Sequence, residues 1–172
     1  MKKIILILIV IHSTFYYIYA QEKFKHGNMK IGEDIYGVIF SNEYPSIGIS
    51  NLSKNLKDIP RPKTNNINGL LPIREEDMYF DVENEKTIVV KVLNDKIDKL
   101  KRNKESIRID YVFYPDGRVM NIEYGLSKQT SITPKDLAKI DENLRNNLKM
   151  KFTGDQYKAY PAIYFNKKRI FF

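Results

Sequence analysis

The chain contains no cysteine, and that absence closes several routes at once. No disulfide can staple the fold, so it must hold through its core. No thiolate metal site, cysteine nucleophile or lipobox cysteine for lipid attachment is available. Histidine is nearly as scarce: only His12 and His26 occur. A catalytic or metal site would have to do without imidazole or lean on His26 alone, in the polar stretch QEKFKHGNMK. The chain also lacks a G-x-S-x-G elbow, a phosphate loop, an H-E-x-x-H helix and a dinucleotide fingerprint. The three adjacent acids Glu75, Glu76 and Asp77 do not have the alternating oxygen spacing of a calcium loop and suit a solvated loop. These absences argue against an enzyme, and no metal or cofactor is expected.

What is present first is a segment unlike the rest. Lys2 and Lys3 precede the apolar run Ile4–Ile11, and HSTFYYIYA ends in the small residue Ala20 before Gln21. That order is the pattern of a secretory leader cut between Ala20 and Gln21, so the expectation is an exported protein, periplasmic or secreted. The alternative is an uncut inner-membrane anchor over residues 4–20, which just reaches spanning length. The formal charge of the 172-residue chain is +8, of which Lys2 and Lys3 carry two. Such a balance permits contact with acidic glycans or anionic lipid without demanding it, and a solvated basic surface accounts for it as well.

Beyond the leader the chain divides by composition. Residues 21–80 carry Pro45, Gly48, Pro60, Pro62, Gly69 and Pro72 and a run of asparagines, which oppose helix and central strand alike. This predicts a loop-rich extension with one short strand, Ile35–Phe40, rich in β-branched and aromatic residues. Asn51-Leu52-Ser53 forms a formal glycosylation sequon. From Asp81 to Asn103, Val89, Val92, Leu93, Ile97 and Leu100 fall on one helical face, so a helix is expected there. Its basic end, DKIDKLKRNK, places positive charge where the helix dipole favours it.

The stretch ESIRIDYVFYPDGRVMNIEYG is the most explicit. Ile107, Ile109, Tyr111 and Phe113 alternate with polar partners, as in a strand buried on one face. Pro115, Asp116 and Gly117 then supply a tight turn with a left-handed glycine, and RVMNIEYG returns antiparallel. Thr133, Pro134 and Asp136 start a second helix as N-cap, first residue and capping-box acid. Leu137, Ile140, Leu144 and Leu148 form its buried stripe, with Lys139, Asp141, Glu142, Arg145 and Asn146 expected on the wet side. The C-terminal YPAIYFNKKRIFF reads as strand, with an alternation that changes phase between Phe165 and Ile170 and requires a bulge or turn near Asn166.

The residues VFYPDGRVMNIEYGLS, the helix from Thr133 to Met150 and the closing PAIYFNKKRIFF together resemble the C-terminal domain of TonB. The resemblance covers about residues 82–172, and the whole chain looks like the small exported bacterial proteins of a domain-of-unknown-function family. It implies an α+β domain over residues 81–172, with two helices packed on one face of a small antiparallel sheet. It also implies a last strand that can receive an extended peptide from a partner. The candidate edge is then Ile163, Phe165, Lys167, Lys168 and Arg169, although lysines on an edge also prevent unwanted pairing.

Two functions are therefore expected in order. The first is a non-enzymatic envelope or secreted module that binds a protein or peptide at the C-terminal strand. The second is binding of an acidic glycan or anionic lipid surface through basic patches; the aromatic group Tyr160, Tyr164, Phe165, Phe171 and Phe172 could stack on a ligand beside Lys167 to Arg169, although core packing explains such residues on a strand more economically. A nucleic-acid partner is not expected, and membrane contact would come only through an uncut leader.

Overall fold

The computed structural model describes residues 23–59, 74–153, 155–166 and 169–172. The leader, the Ala20–Gln21 bond, the proline- and asparagine-rich segment 60–73 and the pair Lys167 and Lys168 lie outside the described residues.

The hairpin forms as its turn chemistry dictates. Strands β5 (Ser106–Phe113) and β6 (Val119–Ser127) pair antiparallel, with Ile109 opposite Tyr124. Gly117 adopts φ +83°, and its N–H donates to Tyr114 O at 2.9 Å. On β5, Ile107, Ile109, Tyr111 and Phe113 are all buried. The register shifts after Val112, so that Asn121 and Val119 face consecutive β5 residues. The extra residue, Met120, is buried beside Val112 and Ala162.

The sheet is much larger than the sequence implies. Strands β1 (Gly27–Ile31), β2 (Asp34–Phe40) and β3 (Ser46–Asn51) form an antiparallel meander, and β3 pairs with the free side of β6. With β8 (Ile163–Asn166) and β9 (Ile170–Phe171) both on the other side of β5, the result is a 7-stranded sheet of order β1-β2-β3-β6-β5-β8. A two-stranded sheet joins β4 (Met78–Tyr79) to β7 (Lys151–Phe152).

The expectation of two helices on a small sheet behind a loop-rich extension is thus overturned: residues 27–51 are sheet. The prolines and glycines there do not act as boundaries. Pro45 precedes β3 rather than interrupting it, and Gly48 lies on the outer face with nothing within 4 Å of the place its Cβ would occupy. Ile47 and Ile49 on either side of it point inward and are buried, which is the period-2 pattern of a strand.

Three α-helices occur among the described residues: α1 (Val82–Val92), α2 (Ile97–Arg102) and α3 (Pro134–Asn147). The single helix expected over 81–103 is divided by a 3₁₀ turn at Asn94–Lys96, where Asn94 and Asp95 are weak helix formers. Its stripe still works, since Val89, Leu93 and Leu100 are fully buried. Helix α3 begins with the full capping box: Thr133 N–H donates to Asp136 Oδ2 at 2.7 Å, and Asp136 N–H returns to Thr133 Oγ1 at 3.3 Å. Leu137, Ile140, Leu144 and Leu148 are buried.

The helices cover one face of the sheet, and the core lies between. Tyr36, Val38, Ile47, Ile49, Ile109 and Ile122 meet Val89, Leu93, Leu137 and Leu144 there. The opposite face carries the alternate residues, including exposed Ile39 and Tyr164 and half-exposed Arg108. At the turn end of that face Val112, Met120 and Ala162 make a small second cluster with Ile59 and Tyr114.

Candidate functional site

The C-terminal strands end the sheet. Tyr111 faces Phe165 and Phe113 faces Ile163 across the β5–β8 ladder, while Ile107 faces Ile170 on β9. Between Asp110 and Ile107 the chain of β5 advances three residues as the C-terminal segment advances four, from Asn166 to Ile170. That one-residue excess is the phase change expected near Asn166. The other side of β8 has no backbone hydrogen bond to another strand among the described residues.

Not every predicted edge residue presents its side chain. Ile163 is buried, and the Phe165 ring packs inward at 4.9 Å from the Phe80 centroid. Both contribute backbone to the edge and side chain to the core. Arg169 is exposed and donates through Nη1 to Ser106 Oγ at 3.3 Å. Lys167 and Lys168 lie outside the described residues. The side chains that do project come from the aromatic group instead: Tyr164 is 63% and Phe171 71% exposed.

A groove of about 490 Å³ runs beside β9, walled by Arg169, Ile170 and Phe171 on one side and Val82, Glu83 and Lys86 of α1 on the other. A second depression, about 500 Å³, continues along α1 past Glu83 and Lys86 to Thr87, Val90 and Lys91. The sheet edge therefore borders a trough with an apolar floor and charges of both signs.

A second constellation is internal. Asp141, expected on the wet side of α3, is fully buried. Its carboxylate accepts from Tyr124 Oη at 2.9 Å, Asn51 Nδ2 at 2.9 Å and Arg145 Nε at 3.1 Å. Asn51 also donates to Asp34 at 3.2 Å and accepts from the N–H groups of Ser53 and Lys54 at 3.0 and 3.1 Å. The sequon asparagine is therefore buried and fully committed, which leaves no amide for a glycan. Burial and the nearby Asp141 carboxylate push the Tyr124 phenol well up. Burial, Asp141 and Asp34 do the same for Tyr36. Among the described residues the Tyr36 hydroxyl meets no hydrogen-bond partner of ordinary geometry, although Asn51 lies near enough to offset part of its shift. Glu85 and Tyr111 form a parallel contact at 2.7 Å between α1 and β5.

From this network Arg145 reaches outward to Met120 O at 3.3 Å and Asn55 Oδ1 at 2.5 Å. Asn55 in turn donates to Ile122 O at 2.9 Å and accepts from Ile122 N–H at 3.1 Å. Its side-chain amide thus pairs with β6 as a neighbouring strand's backbone would. Enclosed as it is, this assembly holds α3, the 51–56 segment and β6 together rather than presenting groups to a substrate. His26 likewise acts locally, its Nδ1 accepting from Phe40 N–H at 3.3 Å. Among the described residues no group of three His, Asp or Glu side chains is placed to hold a metal ion. None of their helices is long and apolar enough to cross a membrane.

The fold has a precedent. A DUF5043 family protein from Bacteroides uniformis ATCC 8492, known from a 1.85 Å crystal structure, superposes with a TM-score of 0.64 at 12% identity, over 86% of each chain. The chain shares that fold. No family model matches it, and no curated protein sequence matches it significantly. Sharing a fold at this identity carries no activity with it.

Proposed function

We propose that the protein is an exported, non-enzymatic binding module that receives an extended peptide segment of a partner along the β8–β9 edge. The observation that carries this reading is the outer side of β8, which pairs with no other strand among the described residues, with exposed Tyr164 on it, exposed Phe171 on β9 and the trough between β9 and α1. An added strand would gain main-chain hydrogen bonds from the edge, with alternate side chains dropping into the trough. The resemblance of residues 82–172 to the TonB C-terminal domain, whose last strand can take a partner peptide, supports the same edge. Tyr164 and Phe171 are the specificity-bearing side chains in this reading. Val82, 47% exposed, supplies apolar contact from α1.

The test is selection of binders from a randomised peptide library displayed against the chain from Gln21 onward, followed by hydrogen exchange on the complexes. Protection is expected at the amides of 163–166 and 170–171, and Tyr164→Lys with Phe171→Lys should abolish it. Protection confined to other strands would overturn the reading. Binding that vanishes at high salt would do so too, since main-chain pairing survives ionic screening.

A further inference from the structure

We infer that a second, separate site lies at the end of the sheet: a cleft built to hold an acidic saccharide. It occupies about 780 Å³ where the β2–β3 turn, the α2–β5 junction, the end of β6 and the start of β9 converge. Tyr44, Lys104, Arg108 and Arg169 line it, with Ser46, Ser127, Asn103 and Gln129 between them. The lining is mainly polar and charged, which suits a hydroxyl-rich ligand that carries negative charge.

Three observations converge on the ligand. Lys104 is the one residue other than glycine with positive φ among the described residues, at +51°. It follows a helix end where glycine would sit without strain, so a lysine held there points to a use for its ammonium. Arg108 is presented by the backbone beneath it. Its guanidinium lies over Gly125, where a Cβ would stand 3.4 Å from Nε. Asp110 takes that Nε at 2.8 Å, leaving the terminal nitrogens for another acceptor. Arg169, tied to Ser106 at 3.3 Å, adds a third cation. The acids nearby are already engaged: Asp110 by Arg108, and Glu105 by Ser131 N–H, Thr130 Oγ1 and Asn103 Nδ2 at 2.8, 2.9 and 3.1 Å.

Across from these cations stands Tyr44, 65% exposed yet carried on an ordered turn. Its N–H donates to Ser41 Oγ at 3.0 Å, and Lys128 clamps Ser41 O at 2.7 Å. An exposed ring on a pinned turn suits the C–H face of a sugar, the serines and amides suit its hydroxyls, and the arginines match a carboxylate or sulfate.

The experiment is calorimetric titration of the chain with trigalacturonate, a sulfated trisaccharide, neutral maltotriose and inorganic sulfate. At least one acidic trisaccharide should bind more than tenfold tighter than maltotriose and than sulfate alone, and the preference between the two names the anion. Lys104→Gly should weaken that binding about tenfold, the loss of one charge-assisted contact, with the melting temperature held or raised. Tyr44→Ala should weaken acidic trisaccharides and leave sulfate unchanged. Equal binding of neutral and acidic sugars overturns the proposal. So does sulfate binding as tightly as the trisaccharides with no effect of Tyr44→Ala, which would mean a bare anion site.

Discussion

Replacing Gly117 by alanine isolates the contact on which the hairpin and the small β4–β7 sheet both depend. At φ +83° an added Cβ would land 1.9 Å from Met150 O and 3.0 Å from its carbonyl carbon. Gly117 O also accepts from Met150 N–H at 2.9 Å, so the chain at Lys149–Lys151 cannot retreat without losing that bond. Left-handed backbone costs an alanine roughly 1–2 kcal/mol. The broken hydrogen bond adds roughly 0.5–1.5 kcal/mol, which with the backbone cost makes roughly 1.5–3.5 kcal/mol. Gly32 provides the control, because at φ +63° it has nothing within 4 Å of its Cβ position and should lose only the backbone part. Urea titrations of both variants at equal m-value give the two free energies directly. For a chain of this size each kcal/mol also appears as roughly 2–4 °C in the melting temperature. If Gly117→Ala and Gly32→Ala lose the same stability to within about 0.5 kcal/mol, the collision with Met150 is not there and the reasoning fails.

Asp141→Ala should cost about 3–5 kcal/mol, since it takes the carboxylate from part-buried Arg145, the acceptor from buried Tyr124 Oη and one of the partners of Asn51; a denaturant midpoint close to wild type would refute the network's structural role. Thr133→Ala removes half of the α3 capping box and should cost about 1 kcal/mol by the same measurement. Acid should destabilise the protein in a defined window. Burial opposes the charge on Asp34, Glu105 and Asp136, yet Lys54 and Asn51, the Ser131, Asn103 and Thr130 donors, and Lys96 and Thr133 respectively outweigh it and hold all three pKa values low. Their stabilisation is complete above the unfolded carboxylate range of about 4 and is lost as pH falls through the lowered native values. Urea midpoints should therefore hold from pH 7 to 5 and fall towards pH 3; a flat profile to pH 3 would contradict these contacts.

The parts of this fold that are legible in the sequence are those whose determinants are close together in the chain. YPDG sets its turn through Pro115, Asp116 and Gly117, and the capping box needs only Thr133 and Asp136. Asp141 reads as a surface residue because its burial is decided by Tyr124 and Asn51, on two strands distant in sequence. A helical clue does exist: position 141 completes the i, i+3, i+4, i+7 set that starts at Leu137, and its carboxylate identity masks it. The β1–β3 meander is hidden for a related reason, since Gly48 and Pro45 read as breakers until β6 is known to lie beside them. Of the predicted edge, the strand and its phase change after Asn166 are legible, and the inward direction of Phe165 is not, because it is set by packing on Phe80 and Phe113, both distant in sequence. The saccharide cleft draws on four separate segments and has no local signature.

The Asn55 amide that stands in for a strand against Ile122 bears on the order in which the molecule assembles. Hairpin β5–β6 and the β1–β3 meander each close over short loops and can form quickly, but β3 reaches β6 only by bringing Ile49 to Tyr124, a long-range closure that is slow. The contacts of Asn55 with Ile122 and Arg145 can lock only once β3 has closed on β6. Weakening them should speed unfolding and leave the folding rate nearly untouched. The segment then behaves as a bolt that slides home once the two halves of the sheet have met, and it governs how long the protein stays folded more than how fast it gets there.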